Sequence, residues 1–389
     1  MVLFLFLPAA AGTITHPRKG AKPVKSICIL TTVHRHDDVR IYYRQALSLA
    51  KAGYRVTLCC PDYEGKDEYG VRFCKLELPG GRFGRMWKAS PTALKAALTE
   101  EYDLYHVHDP ELLPAALKLK KRGKRVIYDA HEDVPRQILG KDWLPEWSRK
   151  PLARRFERYE QKVARRLDGV IGATEIIAGR FPGGVAVRNF PDPQEFFPQG
   201  LPPYEKRRRA AVYAGSITQL RGIHQMVKAA GQAGVPLILA GEFENPALRH
   251  DITLLPGFDQ VEERGKLSRD GVAKAMGEAR MGLVVLFPTQ SYQESLPIKL
   301  FEYMLCGLPV IASDFPLWRE LTGKSCALFV DPQKVEEIAG AMTFLLENPD
   351  RAKAMGEAGR KLALKKYCWQ SEEKRLLTLY RKLLEGEKA

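Results

Sequence analysis

The segment QSYQESLPIKLFEYMLCGLPVIASD, residues 290–314, carries two carboxylates, Glu294 and Glu302, with seven residues between them. Pro297 suits the first turn of a helix, where a missing N–H costs nothing. The pattern predicts a helix from about Pro297 to Cys306, stopped by Gly307, with Leu308–Ala312 returning to a strand. Lys299 and Glu302 then share a face, three residues apart. The first turn of such a helix presents unpaired backbone N–H groups, here from Ser295 and Leu296 to Lys299, and the Lys299 ammonium adds a full charge beside them. That combination suits a diphosphate. Glu302, one turn in, can accept hydrogen bonds from a ribose diol. Glu294, in the preceding loop, projects towards whatever the diphosphate carries. The competing reading is an ordinary surface helix with an internal Lys–Glu pair.

A second phosphate contact is written in VYAGSITQLRG, residues 212–222, a strand followed by a glycine turn and a helix start. Small residues there let backbone amides approach phosphate oxygens, and Arg221 supplies charge at the helix entrance. In the first half, LYHVHDPE places His106 and His108 on one face of a strand, and YDAHED places His131 just past the next one. H-x-H without further clustered ligands is a weak metal signal, and a core histidine is the better reading of His106. The stretch TTVHRHDDVRIYYRQ follows the first strand without a glycine, so contacts to a ligand there come from side chains. Asp37, Asp38 and Arg40 are candidates to touch an acceptor. Asp38 can alternatively cap the following helix.

The elements that must position these groups alternate between short apolar runs and amphipathic stretches. Strands are predicted at Ser26–Thr31, Arg55–Cys60, Val71–Leu76, Leu104–Val107, Arg125–Tyr128 and Gly169–Ala173, most of them continuously apolar, as in parallel sheets covered on both faces. Helical patterns at Ile41–Ala52 and Pro110–Lys121 end at glycines. After the Pro- and charge-rich NFPDPQEFFPQGLPPYEKRRR, the alternation restarts with Ala210–Ala214, a helix over Gly222–Ala233, Leu237–Ala240, Met281–Leu286, Val310–Ala312 and Ala327–Val330. Helices at Val335–Leu346, Pro349–Lys366 and Trp369–Glu385 close the chain. The fold class is therefore α/β, with two doubly wound parallel-sheet units in tandem and a cleft at the carboxyl ends of their strands. The expected division is a disordered leader over 1–23, an N-terminal acceptor domain over 24–192 and a linker over 193–209. A donor-binding domain follows over 210–368, then a C-terminal helix over 369–389 that packs back towards the first domain.

Composition supports two globular units in 389 residues, with 45% hydrophobic and 28% charged residues. A net charge of +15 favours anionic partners. The seven cysteines, 28, 59, 60, 74, 306, 326 and 368, form no CxxC pair and read as free thiols of a reducing compartment. The apolar stretch Val2–Leu7 has no basic residue before it and is short for a secretory signal. Residues 141–166 are basic with Trp143, Leu144, Trp147, Leu152 and Phe156 interleaved, which suits either an anionic membrane surface or a solvated helix face. KRRR at 206–209 reads as a solvated linker run.

The run E-S-L-P-I-K-L-F-E-Y-M-L-C-G-L-P-V-I-A-S resembles the E-x7-E signature of retaining GT-B glycosyltransferases of family 4, and the resemblance extends from about Val24 to Tyr380. It implies two Rossmann-like domains facing a central cleft and transfer of a sugar, with retention, from a nucleotide diphosphate sugar to an acceptor hydroxyl. Carried over by position, Glu294 contacts the donor sugar near the reacting carbon and Glu302 binds the ribose. The amides of 295–299, including Ser295, Leu296 and Lys299, hold the diphosphate. The family's G-R-L-x-x-x-K-G appears here with Ser216 at the Arg position and Arg221 at the Lys position, so one cation is missing and the other exchanged. His108 resembles the cleft histidine of the H-x-H-E/D-P segment and joins Glu294 as a catalytic candidate; His131 resembles an acceptor-site residue. The resemblance implies no metal or cofactor beyond the donor, a glycan or lipid-linked acceptor, and cytoplasmic work at the inner face of the membrane in polysaccharide or glycolipid synthesis. The rivals are a GT-B nucleotide-sugar epimerase or phosphorylase, and a basic nucleic-acid-binding protein, for which no zinc-finger or aromatic RNA-binding signature is present.

Overall fold

The structure, a computed structural model, describes residues 24–78, 82–141, 143–197, 200–323 and 325–386. The leader, with Val2–Leu7, lies outside the described residues.

The first sheet comprises β1 (Ser26–Leu30), β2 (Arg55–Cys60), β3 (Gly65–Lys66), β4 (Arg72–Lys75), β5 (Leu104–Val107), β6 (Val126–Ala130), β7 (Gly169–Gly172) and β8 (Val185–Ala186). Their order is β3-β4-β2-β1-β5-β6-β7-β8, and only the β3–β4 pair is antiparallel. The second sheet comprises β9 (Ala211–Ala214), β10 (Leu237–Ala240), β11 (Val261–Gly265), β12 (Met281–Val284), β13 (Val310–Ser313) and β14 (Ala327–Val330), ordered β11-β10-β9-β12-β13-β14 with parallel pairing throughout. Strands such as SICIL, LILA and VIAS are apolar along their length because helices cover both faces of each sheet, and every residue of these three strands is buried. Each sheet accordingly has two apolar cores, one per face.

The predicted strands fall where the apolar runs are. Three short or edge strands were not legible: β3 and β8 are two residues long, and β11 reads VEERG with no apolar run to mark it. In both sheets the order reverses beside the first strand, at β1/β5 and at β9/β12, and open α/β sheets bind ligands at the carboxyl ends of such a point.

The helix Trp369–Glu385 crosses to the first sheet. Trp369 Nε1 donates to Ser48 Oγ at 2.8 Å, Tyr380 hydroxyl pairs with His106 Nδ1 at 2.7 Å, and Leu376 and Leu384 pack with Ile27 and Leu104. The charge run at 206–209 is not a freely solvated linker. Arg207 is buried and donates Nη1 to Cys306 O at 3.0 Å, because the unpaired carbonyls at the end of the helix Ile298–Leu305 attract a cation. All seven cysteines are free, and each is buried except Cys74, which is half-buried.

Candidate active site in the interdomain cleft

A cavity of about 770 Å³ lies where the carboxyl ends of the two sheets meet. Its C-terminal wall is built from the β9 loop, the β12 loop and the start of the helix Ile298–Leu305. Its N-terminal wall includes Asp38, His131, Arg136 and Thr174.

On the C-terminal wall, β9 ends at Gly215, whose φ is +140°. A Cβ there would stand 2.4 Å from Lys299 Nζ, so the glycine is what lets the ammonium reach the loop. Lys299 Nζ lies 5.2 Å from the centre of the Tyr213 ring. Burial, with Arg221 nearby, pushes the Lys299 pKa down to about 7, only partly offset by Glu302. Ser216 O accepts from Tyr213 hydroxyl at 2.7 Å and Arg221 Nη1 at 3.3 Å, which fixes the loop. Arg221 thus brings its charge to the cavity where Ser216 brings none.

The segment holding the two glutamates differs in detail from its expected form. Glu294 ends a short helix, Gln290–Gln293, capped by Thr289, rather than lying in a plain loop. The Ser295 amide is already bonded to Tyr292 O at 3.2 Å, so the open amides of this turn do not include it. Trp318 Nε1 donates to Ser295 O at 3.0 Å and pins the turn, and Leu296 packs on the core behind it. The regular helix begins at Ile298 with Pro297 as its cap, which leaves the Ile298 and Lys299 amides unpaired within the helix. Glu302 is 4% exposed and its Oε1 accepts from Arg269 Nη2 at 2.8 Å. Glu294 is open to the cavity and accepts from Arg136 Nη1 of the opposite wall.

On the N-terminal wall the structure revises two assignments. His108 does not reach the cavity: its side chain is buried, with Nδ1 2.8 Å from Nε2 of His131, and His131 is the ring that lines the cavity. His108 follows β5, the neighbour of β6 in the sheet, and its ring packs against His131 of the β6 loop. Burial pushes the His131 pKa down to about 3 and the His106 pKa down to about 4, so both rings are neutral near pH 7. Arg40, unlike His108, lines the cavity, but its guanidinium is already engaged. Its guanidinium is held by Asp129, with Nη2 to Oδ1 at 2.7 Å, and by Val187 O at 2.7 Å. Burial raises the Asp129 pKa, but Arg40, His131 and His106 outweigh it and hold it at about 2.

Asp38 lines the cavity but caps the helical segment Val39–Ala46, accepting from the Arg40 and Ile41 amides at 2.9 Å, while Oδ2 pairs with His34 Nδ1 at 3.1 Å. Asp37 is not among the residues that line the cavity; it lies beside Arg35 and 3.9 Å from Lys266 of the second domain. The glycine-free loop after β1 is held by Asp109, which accepts from the Thr32 amide at 2.5 Å and Thr31 Oγ1 at 2.9 Å. Sequence reasoning weighed Asp109 only as part of a weak metal signal and missed Asp129, Arg136 and Arg269, whose contacts in the site are with partners distant in the chain. His106, His108 and Asp129 each bring one ligand atom within 4.8 Å of the others. The Arg40 guanidinium already occupies Asp129, and its charge opposes a cation there.

Residues 39–185 match the family model described as Glycosyltransferase Family 4, and residues 194–362 match that described as Glycosyl transferases group 1. MMP alpha-(1->4)-mannosyltransferase of Mycolicibacterium hassiacum is 25% identical over 296 residues, which cover 72% of this chain and 70% of that protein. Among solved structures, sucrose-phosphate synthase from Thermosynechococcus elongatus has a TM-score of 0.69 at 19% identity, covering 93% of this chain and 100% of that one. HepE from Anabaena, in complex with UDP and glucose, has a TM-score of 0.70 at 14% identity, covering 92% of this chain and 100% of that one.

Proposed function

On the premise that the chain is a GT-B glycosyltransferase, we propose that it moves a hexosyl group from a nucleotide diphosphate sugar to an acceptor hydroxyl with retention of configuration. The observation that carries this reading is the convergence of Glu294, Glu302, Lys299 and Arg221 on one wall of a single cavity, opposite His131 and Arg136. The diphosphate lies on the Ile298 and Lys299 amides, between Lys299 and Arg221. These groups stabilise the charge that develops on the leaving group, and no metal is required of them. Glu302 accepts from the ribose. Glu294 holds the transferred sugar, displacing Arg136. The acceptor enters beside His131, and its hydroxyl attacks the face the nucleotide leaves. The hydroxyl proton passes to the departing phosphate oxygen, so one C–O bond breaks as another forms.

The complex of HepE with UDP and glucose supports a nucleotide donor. The mannosyltransferase name of the sequence relative supports a hexose. Trp143, just before the basic helix Glu146–Ala164, and Trp147, in its first turn, are exposed, which supports a peripheral contact with an anionic membrane and a glycolipid or polysaccharide acceptor at its cytoplasmic face. No helix among the described residues is long and apolar enough to cross a membrane.

The test is a panel of nucleotide sugars incubated with candidate acceptors, followed by nucleoside diphosphate release and by proton NMR of the product. Release that needs the acceptor, with the donor's anomeric configuration in the product, is expected. Release with inversion removes the retaining reading. Interconversion of the donor sugar without transfer favours an epimerase.

A further inference from the structure

A series of four charged side chains runs from the first domain and ends at Glu302. Arg44, fully buried in the helical segment after β1, donates Nε to Phe190 O at 2.9 Å and Nη2 to Glu195 Oε2 at 2.9 Å. Phe190 and Glu195 belong to the stretch that joins the two sheets. Glu195 Oε2 also accepts from Arg269 Nη2 at 2.8 Å, and the same nitrogen donates to Glu302 Oε1 at 2.8 Å. Arg269 begins the helix Arg269–Glu278 after β11, and its guanidinium lies 5.1 Å from the centre of the Phe196 ring. Signs alternate along the series and cancel. Arg269 and Glu302 line the cavity, while Arg44 and Glu195 stand behind the wall.

The sharing of Arg269 has a consequence for Glu302. A guanidinium free of other partners pairs with a carboxylate through both of its oxygens. Here Glu195 holds Arg269 off that geometry, so Arg269 engages only Oε1 of Glu302 and leaves Oε2 for a ligand. Glu195 in turn is anchored by Arg44, which grips both of its carboxylate oxygens and also bonds the backbone of the joining stretch.

We propose that Arg269 and Glu195 are positioning residues that keep one oxygen of Glu302 available to the donor's ribose and tie its orientation to the segment joining the domains. The inference rests on the reading of Glu302 as the ribose acceptor. It requires a selective effect, since the diphosphate is held elsewhere, by Lys299, Arg221 and backbone amides.

The experiment is calorimetric titration of the full chain and its Glu195→Gln, Arg269→Lys and Glu302→Gln variants with two probes. One probe is the tightest binder among UDP, GDP and ADP; the other is inorganic pyrophosphate. Melting curves check that each variant folds. All three substitutions are expected to weaken nucleoside diphosphate binding by about tenfold, the scale of one charged hydrogen bond. Pyrophosphate binding is expected to stay within about twofold, because its contacts are untouched. If Glu195→Gln fails to fold, Arg269→Lys gives the same readout, since lysine keeps the charge without the fork. A loss in Glu302→Gln alone overturns the positioning role and leaves the ribose reading intact. No loss in Glu302→Gln overturns the ribose reading itself. Equal loss for both probes in Glu195→Gln and Arg269→Lys shows a general structural defect and also overturns the proposal.

Discussion

Arg136 of the first domain donates Nη1 to Oε2 of Glu294, so a residue of the N-terminal wall holds the carboxylate that precedes the helix Ile298–Leu305. The side chains are 43% and 38% exposed. Water therefore screens the pair, and such pairs are worth about 0–1 kcal/mol. The contact is weak enough to be exchanged for a sugar hydroxyl.

Removing that competitor favours the donor. Arg136→Ala is expected to lower the donor KM by about two- to fivefold, the equivalent of the ion pair it deletes, with kcat little changed. Initial-rate kinetics at saturating acceptor measure it. A higher donor KM would mean that Arg136 itself binds the donor.

The two glutamates should fail in different ways. Glu294→Ala is expected to cut kcat by about 10²–10³, the loss seen when one transition-state hydrogen-bonding group is removed. Glu302→Ala is expected to raise donor KM by about 10–100-fold with a smaller change in kcat. Full activity in both variants would remove the assignment of residues 294–302.

Lys299 sets a pH dependence for binding. Its pKa is held down to about 7, so the empty site carries the ammonium below that pH and loses it above. A diphosphate prefers the protonated form. Affinity is therefore greatest on the acid side of pH 7 and falls as pH rises through it, approaching about tenfold per unit once the lysine is mostly neutral. Calorimetry of nucleoside diphosphate binding between pH 6 and pH 9 measures this. Lys299→Arg should flatten the profile, because arginine stays charged throughout.

Asp129 is predicted to matter for stability more than for catalysis. It is fully buried and satisfies Arg40 and Gln45, with Gln45 Nε2 at 2.6 Å. Asp129→Ala leaves the Arg40 charge buried without its partner and should destabilise the first domain by about 3–5 kcal/mol. Denaturant unfolding followed by tryptophan fluorescence reads the loss. Because the folded-state pKa of about 2 lies below the ordinary carboxylate value, this contribution is present above pH 4 and is lost as pH falls towards 2.

Much of this site is written locally in the chain. Pro297, Lys299 and Glu302 announce a helix start and its charge, and the structure places Ile298–Leu305 in that helix. The apolar runs mark β1, β9 and β13 for the same reason, since burial on both faces demands them. What the sequence hides is depth and pairing. His108 and His131 look alike in their motifs, and only the packing of their rings past the ends of the neighbouring strands β5 and β6 decides which faces the cavity. Arg40 looks like a loop cation until Asp129, 89 residues away, claims it. Arg269 carries no motif at all, yet it is the side chain that meets Glu302.

The most direct measurement is the crystal structure of the chain with its tightest-binding nucleoside diphosphate. The expected result puts phosphate oxygens about 3 Å from the Ile298 and Lys299 amides, with the ribose hydroxyls on Glu302. A nucleotide seated away from residues 294–302, with those amides facing solvent, would contradict it.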